Sequence, residues 1–358
     1  MKVAIVCGNL LAGGAERVIS ILANKFVNIG ISVDIYTWHT TELFYTFDER
    51  VKIYQIPIES YRNSLLGQIF WFRKKIRLSR PNVVLSFLAP FNILTVFSLL
   101  KIKLPVLVAE RNDPYFVSSS HNWFWKIVRN IAYKLSDGVL VQTLVNKSHF
   151  PKYLQKKATI IYNPVTFAED LIGIALKQDK QDEIVSVTRL EKQKNVKMLI
   201  ESFAKFKKSH PNYTLTIYGE GAERDNLEKL IVKLNLVDSV FLPGRKQNVH
   251  KHIISAKIFA MASDFEGMSN SLIEAMCLGL PCVCTKVSGA IDLIVNGENG
   301  LLVNVGDTDE LTKSLSVLAD NNEIRTKFGI KASELYEQLN VEKIAQEWLA
   351  YIKQFVSV

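Results

Sequence analysis

Short apolar stretches of four to six residues alternate with amphipathic segments along this chain, and the alternation runs through twice. In the first run, Lys2–Cys7, Ser32–Tyr36, Val51–Ile56, Val83–Phe87, Val106–Ala109, Gly138–Gln142 and Ala158–Tyr162 read as strands. Ala15–Ile29, Ser64–Ser79, Phe91–Lys101, Trp123–Leu135 and Leu144–Leu154 read as helices; Val18, Leu22 and Phe26, for example, share one face. Asn163-Pro164 stops the pattern, and Thr166–Glu183 reads as polar and irregular. The pattern then restarts with strands at 184–187, 213–218, 240–242, 257–263, 281–287 and 301–303, again separated by helical spacing. Strands buried on both faces and joined by helices form parallel sheets. The expectation is an α/β chain of two doubly wound, Rossmann-like domains facing each other across a cleft. The boundaries predicted are residues 1–165 and 166–340, with a final helix (Val341–Phe355) striped by Ile344, Trp348 and Ile352.

At 358 residues the chain is long enough for two cores, and its 48% hydrophobic and 22% charged residues suit a globular protein. The start, MKVAIVCGNLLAGG, has too few apolar residues for a signal-peptide core. The longest apolar run, Phe87 to Leu100, falls short of the roughly 20 residues that cross a bilayer, so it is expected to be a buried helix. Cys7, Cys277, Cys282 and Cys284 lie in apolar surroundings without metal-ligand spacing, which reads as reduced, buried thiols in a cytoplasmic protein. Charge is unevenly placed. Residues 1–163 hold 21 Lys and Arg against 9 Asp and Glu, a net +12, whereas the remainder holds 23 against 26. An excess confined to one half points to a polyanion or an anionic membrane met by that half.

Chemistry-bearing residues concentrate in Asp264–Gly279, DFEGMSNSLIEAMCLG. Glu266 falls on a polar loop after a strand, and Glu274 about one turn into the helix that follows. In an open parallel sheet this strand-to-helix position collects ligands, and backbone N–H groups at the helix start favour anions. Two carboxylates at an anion site suit a ligand with both phosphate and hydroxyls, such as a nucleotide sugar. Arg189 and Lys194, in VTRLEKQKN, follow the first strand of the second run. Arginine can hold phosphate bidentately and lysine adds a point charge. Gly13-Gly14-Ala15-Glu16-Arg17 turns the first strand into the first helix, where glycine permits close backbone approach to a phosphate. Glu16 is a candidate acceptor contact, with a competing reading as a helix-dipole cap.

Taken together, GGAER, RLEKQKN, YGEGAER (218–224), LPGR (242–245), EGMSNSLIEAM (266–276) and GENGLLV (297–303) resemble glycosyltransferase family 4, retaining nucleotide-sugar transferases of the GT-B fold. The resemblance spans nearly the whole chain and is densest from Val185 to Val303. It implies that Glu266 hydrogen-bonds the donor sugar, that Glu274 holds the ribose, and that Arg189 and Lys194 bind the diphosphate and stabilise the leaving group. It further implies that Gly267, Met268, Ser269, Asn270, Ser271 and Leu272 hold sugar and phosphate through their backbone. Gly244 and Arg245 would then meet the base, and Gly14 the donor phosphate from the N-terminal, acceptor-binding domain. The last helix (341–358) would cross back to that domain. Neither cofactor nor metal is expected, since arginine and lysine would neutralise the phosphates of the UDP-sugar substrate.

One departure stands out. Where many members carry a histidine after the strand at 106–109, this chain reads AERNDP, so Glu110 and Asn112 become candidate acceptor contacts. That variant resembles the subset building lipid-linked glycans and polysaccharide repeat units, which implies a polyprenyl-diphosphate-linked saccharide acceptor. The helix at 64–80 fits such a substrate: Arg73, Arg77 and Arg80 share one face, and no acid occurs from Ser60 to Ala109. It is read as touching an anionic membrane or the lipid diphosphate, with the protein peripheral on the inner face of the cell membrane. No nucleic-acid-binding motif occurs, and nucleic acid is not an expected partner. Asp307-Thr308-Asp309 is a DxD by letter but opens a helix, which reads as capping. A glycosidase pair of Glu266 and Glu274 would leave Arg189 and Lys194 without purpose. A GT-B epimerase and a non-catalytic sugar-binding protein are the remaining alternatives.

Overall fold

The computed structural model describes residues 1–39, 42–56, 64–114, 123–167, 170–177 and 179–356. The chain divides into two compact units, Met1–Thr166 with Asn340–Val358, and Phe167–Leu339.

Among the described residues of the first unit, seven strands form a parallel sheet. They are β1 (Lys2–Cys7), β2 (Ser32–Thr37), β3 (Lys52–Gln55), β4 (Val83–Phe87), β5 (Val106–Ala109), β6 (Gly138–Val141) and β7 (Ala158–Ile160). The order β3-β2-β1-β4-β5-β6-β7 reverses between β1 and β4, which are paired Val3 to Val83. The inner strands β1, β4, β5 and β6 are almost wholly apolar because helices cover both faces. Those helices are α1 (Gly14–Asn28), α2 (Leu65–Ser79), α3 (Ala89–Leu99), α4 (Trp123–Leu135), α5 (Leu144–Ser148) and α6 (Lys152–Lys157). The expected single helix at 144–154 is two, because Pro151 interrupts it.

The second unit repeats the plan. Helix α7 (Asp170–Lys177) leads in, and the six described strands are β8 (Gln181–Val187), β9 (Thr214–Tyr218), β10 (Val240–Gly244), β11 (Ala256–Met261), β12 (Cys282–Thr285) and β13 (Leu301–Val303). Their order, β10-β9-β8-β11-β12-β13, reverses between β8 and β11. Around them lie α8 (Val196–Phe206), α9 (Arg224–Lys233), α10 (His250–Ile253), α11 (Asn270–Cys277), α12 (Ser288–Leu293), α13 (Thr308–Asp320), α14 (Asn322–Ser333) and α15 (Tyr336–Leu339). The irregular reading of 166–183 needs correction, since α7 and the first residues of β8 fall inside it. Polar residues at both ends of the apolar Leu171–Leu176 stretch hid its helical spacing.

Helix α16 (Val341–Lys353) belongs to the first unit. Its stripe of Ile344, Trp348 and Ile352 is buried, and Trp348 stacks on Phe87 of β4 with ring centroids 5.7 Å apart. It also packs against α1, where Lys25 pairs with Glu342.

Candidate active site

In the second unit β8 and β11 are neighbours, pairing Ile184 with Ile258, so the loops after them emerge on either side of the reversal. That is where a doubly wound sheet leaves a crevice. The loop after β8 carries exposed Arg189 and half-buried Lys194, and the loop after β11 carries buried Glu266. Lys194 Nζ and Glu266 Oε1 form an ion pair, and Glu266 Oε1 also accepts from Ser263 Oγ at 3.0 Å. Ser263 is held in turn by Thr285 Oγ1 donating to its carbonyl at 2.6 Å.

The two loops are sewn together beside that pair. Gln193 Nε2 donates to the Phe265 carbonyl at 2.7 Å, and Asp264 N donates to the Gln193 carbonyl at 2.9 Å. Asn195 takes the left-handed conformation (φ 43°) that asparagine tolerates, and its side chain caps α8 by accepting from Met198 N at 3.2 Å. The same side chain donates to Asp264 Oδ1 at 2.8 Å. Sequence reasoning missed Ser263, Asp264, Gln193 and Asn195 as supports; polar residues beside each motif were the available signal.

Arg189 is positioned differently. Leu190 N donates to the Glu220 carbonyl at 3.0 Å, and Glu223 N to the Leu190 carbonyl at 2.8 Å. The YGEGAER loop thereby lies backbone to backbone against the end of β8, and a Cβ on Gly219 or Gly221 would collide with the carbonyls of Thr188 and Leu190. Those glycines are needed for close approach. Gly244, with φ 80°, ends β10 beside this loop, and its carbonyl accepts from Gly219 N at 3.1 Å; Arg245 next to it is exposed.

The loop of Gly267, Met268 and Ser269 opens α11. Ser269 is the cap, its Oγ accepting from Leu272 N at 3.4 Å and lying 3.0 Å from Ser271 Oγ. Asn270 and Ser271 are half-buried in the first turn, whereas Glu274 is buried on the helix. Gly289 in α12 lets that helix touch the loop, since a Cβ there would stand 2.8 Å from the Gly267 carbonyl oxygen. Arg189, Lys194, Glu266 and the α11 N-terminus thus surround one reversal point.

In the first unit, Gly14 is exposed at the start of α1, and Glu16 lies in its first turn with its carboxylate folded over Gly13. Glu110, a candidate acceptor contact, is fully buried and bonded within its own loop. Its Oε1 accepts from the backbone N–H of Arg111 (3.1 Å) and Asn112 (3.3 Å), and its Oε2 from Tyr133 Oη at 2.8 Å. Burial pushes the Glu110 carboxyl above its usual range, against the opposing pull of Arg129. Asn112 is exposed. Arg111 is buried beneath it, donating to Asn163 Oδ1, and burial pushes its guanidinium down to about 9. Asp113 is buried against His149, Oδ1 to Nδ1 2.8 Å. Glu110 therefore holds the loop and Asn112 is its accessible side chain.

The basic helix is also corrected in part. Arg73 turns inward to cap α3, donating to the carbonyls of Ser98 and Leu100, while Arg77 and Arg80 remain exposed. Arg73 leaves the lipid-facing set because the last carbonyls of a helix lack intrahelical partners and its guanidinium supplies donors to two at the end of α3. Asp307 caps α13 by accepting from Glu310 N at 2.8 Å, and Asp309 pairs with Lys205 at 2.7 Å. Among the described residues no three His, Cys, Asp or Glu side chains converge as metal ligands, and no helix is long and apolar enough to cross a membrane. All four cysteines are buried and unpaired.

Comparison with known proteins decides the family. A family model described as Glycosyltransferase Family 4 matches residues 12–169, and one described as Glycosyl transferases group 1 matches 168–335. A Campylobacter jejuni protein, N-acetylgalactosamine-N,N'-diacetylbacillosaminyl-diphospho-undecaprenol 4-alpha-N-acetylgalactosaminyltransferase, is 30% identical over 98% of this chain and 99% of its own. The chain belongs to glycosyltransferase family 4. Another Campylobacter jejuni relative, an alpha-1,4-N-acetyl-D-galactosaminyltransferase acting on GalNAc-alpha-(1->4)-GalNAc-alpha-(1->3)-diNAcBac-PP-undecaprenol, is 26% identical over 99% of both chains. Among solved structures, Anabaena HepE in complex with UDP matches 99% of this chain and all of its own at 16% identity, with a TM-score of 0.84. Sucrose-phosphate synthase from Thermosynechococcus elongatus matches 99% and 98% at 17% identity, TM-score 0.85. These likenesses show the GT-B fold, and the family shows the enzyme class: this chain is a glycosyltransferase.

Proposed function

We propose that this family 4 enzyme is a retaining transferase moving a hexose or N-acetylhexosamine from a UDP-sugar to a polyprenyl-diphosphate-linked saccharide, at the inner face of the cell membrane. The observation that carries the reading is the meeting of Lys194 and Glu266 at the reversal point beside Arg189 and the α11 N-terminus. Cations and helix N–H groups suit a diphosphate, and a buried carboxylate accepting from a serine suits sugar hydroxyls. The undecaprenol-linked substrates in the names of both Campylobacter jejuni relatives support the acceptor class.

In this reading Arg189 and Lys194 offset the charge developing on the leaving diphosphate, Glu266 orients the sugar and Glu274 the ribose. The acceptor hydroxyl arrives on the face the leaving group departs from, and the departing phosphate takes its proton. Gly244 and Arg245 meet the base, Gly14 the donor phosphate, and Asn112 the acceptor. Because arginine and lysine supply the charge neutralisation, transfer requires no metal and should survive EDTA. The test is a screen of UDP-sugars for hydrolysis and for transfer to a short-chain lipid-diphosphate saccharide. Glu266→Ala or Lys194→Ala turning over at the wild-type rate would overturn the site assignment.

A further inference from the structure

Helix α4 has two unlike faces. Its inner side carries Arg129, Ala132 and Tyr133, all buried. Tyr133 Oη donates to Glu110 Oε2 at 2.8 Å and Arg129 Nη1 donates to the Pro114 carbonyl at 3.1 Å, so this helix holds both ends of the Glu110–Pro114 loop. Its outer side is apolar and exposed. Trp123, Ile127, Ile131 and Leu135, spaced four apart, are between 45% and 70% exposed. A surface helix ordinarily turns such a stripe to the core.

The surroundings of that stripe indicate what covers it. The connections β3 to β4, β4 to β5 and β5 to β6 all step the same way across the sheet, so right-handed crossovers place α2, α3 and α4 on one face. Helix α3 packs against both of the others. On α2, Leu66, Phe70 and Leu78 are exposed beside Lys74, Arg77 and Arg80. Residues 64–109 and 123–135 include Lys126 and Lys134 but no Asp or Glu. A face that is apolar, cationic and free of acid complements anionic headgroups with acyl chains beneath them.

We propose that α4 inserts its outer face into an anionic bilayer while its inner face carries that contact to the Glu110–Pro114 loop, so that bilayer binding raises the transfer rate. This extends the membrane-acceptor reading above from the basic helix α2 to a second element and gives that element a role in catalysis. Tyr133 and Arg129 act as positioning residues through the loop.

The full chain would be floated with phosphatidylglycerol–phosphatidylcholine vesicles, with neutral phosphatidylcholine vesicles as the comparison. Wild type should float with the anionic vesicles, and Ile127→Ser/Ile131→Ser should lose at least about tenfold in binding, as expected for two exposed apolar side chains made polar. Undiminished flotation of the variant overturns insertion, as does a wild-type dimer in solution that the variant abolishes without any change in vesicle binding. Transfer to a water-soluble short-chain acceptor is then measured with and without vesicles. Wild type should be stimulated, the Ile127→Ser/Ile131→Ser variant should keep its vesicle-free rate without stimulation, and Tyr133→Phe should float normally but lose the stimulation. A wild-type rate indifferent to vesicles, or a stimulated Tyr133→Phe, overturns the coupling. Absence of transfer with every UDP-sugar both with and without vesicles would instead refute the proposed function, and flotation would still report on α4.

Discussion

Lys194 and Glu266, reached from β8 and β11, form an ion pair with only 12% and 10% of their side chains exposed. Removing either partner leaves the other largely desolvated and uncompensated, at a cost of about 3 kcal/mol. Removing both relieves that, so Lys194→Ala/Glu266→Ala should be more stable than the sum of the single losses, with a coupling of roughly 1–3 kcal/mol in chemical denaturation. Strict additivity would show that the pair contributes no interaction to the fold. Lys194→Ala should also lower kcat/KM by at least about 100-fold, the scale of a lost charge-stabilising donor, and Glu266→Ala should lower it through lost orientation of the sugar.

Gly221 tests how Arg189 is aimed. A Cβ there runs into the Leu190 carbonyl, a backbone atom that cannot swing aside. Gly221→Ala should cost about 1–3 kcal/mol by overpacking and displace the end of β8. If Arg189 grips the donor diphosphate, KM for the UDP-sugar should rise with this variant although residue 221 carries no functional side chain. An unchanged KM in a destabilised protein would separate the two effects.

Glu110 links the loop to pH. Its carboxyl is raised by burial, outweighing Arg129, Tyr133 and the two backbone N–H groups. A raised folded pKa means the fold favours the protonated form, so that contribution is complete below the unfolded value of about 4.3 and is lost as pH rises through the raised folded value. Glu110→Gln cannot ionise. The Tm of the variant relative to wild type should therefore climb as pH increases from about 4 upward. A difference independent of pH would mean the buried carboxyl ionises without cost.

Trp348 anchors α16 in the first unit, fully buried and stacked on Phe87. Trp348→Ala should destabilise by about 3–5 kcal/mol. Hydrogen exchange should then accelerate in β4 and α16, while β8–β13 stay protected. Loss of protection in both units together would show that they unfold as one.

The sequence by itself determined that the chain forms two units of alternating strands and helices, and which short stretches carry the candidate chemistry. Short apolar runs bounded by turn residues fit strands covered on both faces, and the spacing of Ile344, Trp348 and Ile352 fixed the buried stripe of the last helix. Arg189, Lys194 and Glu266 stood out because they follow strands, and Glu274 because it lies about one turn into the helix after Glu266. Tertiary structure decided which polar side chains turn inward. Glu110, Arg73 and Asp113 look alike on paper to exposed charges, yet each is engaged by partners 23 to 36 residues away: Tyr133, the end of α3, and His149. It also decided that Lys194 meets Glu266 across 72 residues, because only the reversal of strand order makes β8 and β11 neighbours. Local spacing records which residues share an element; which elements share a crevice depends on how the strands are ordered.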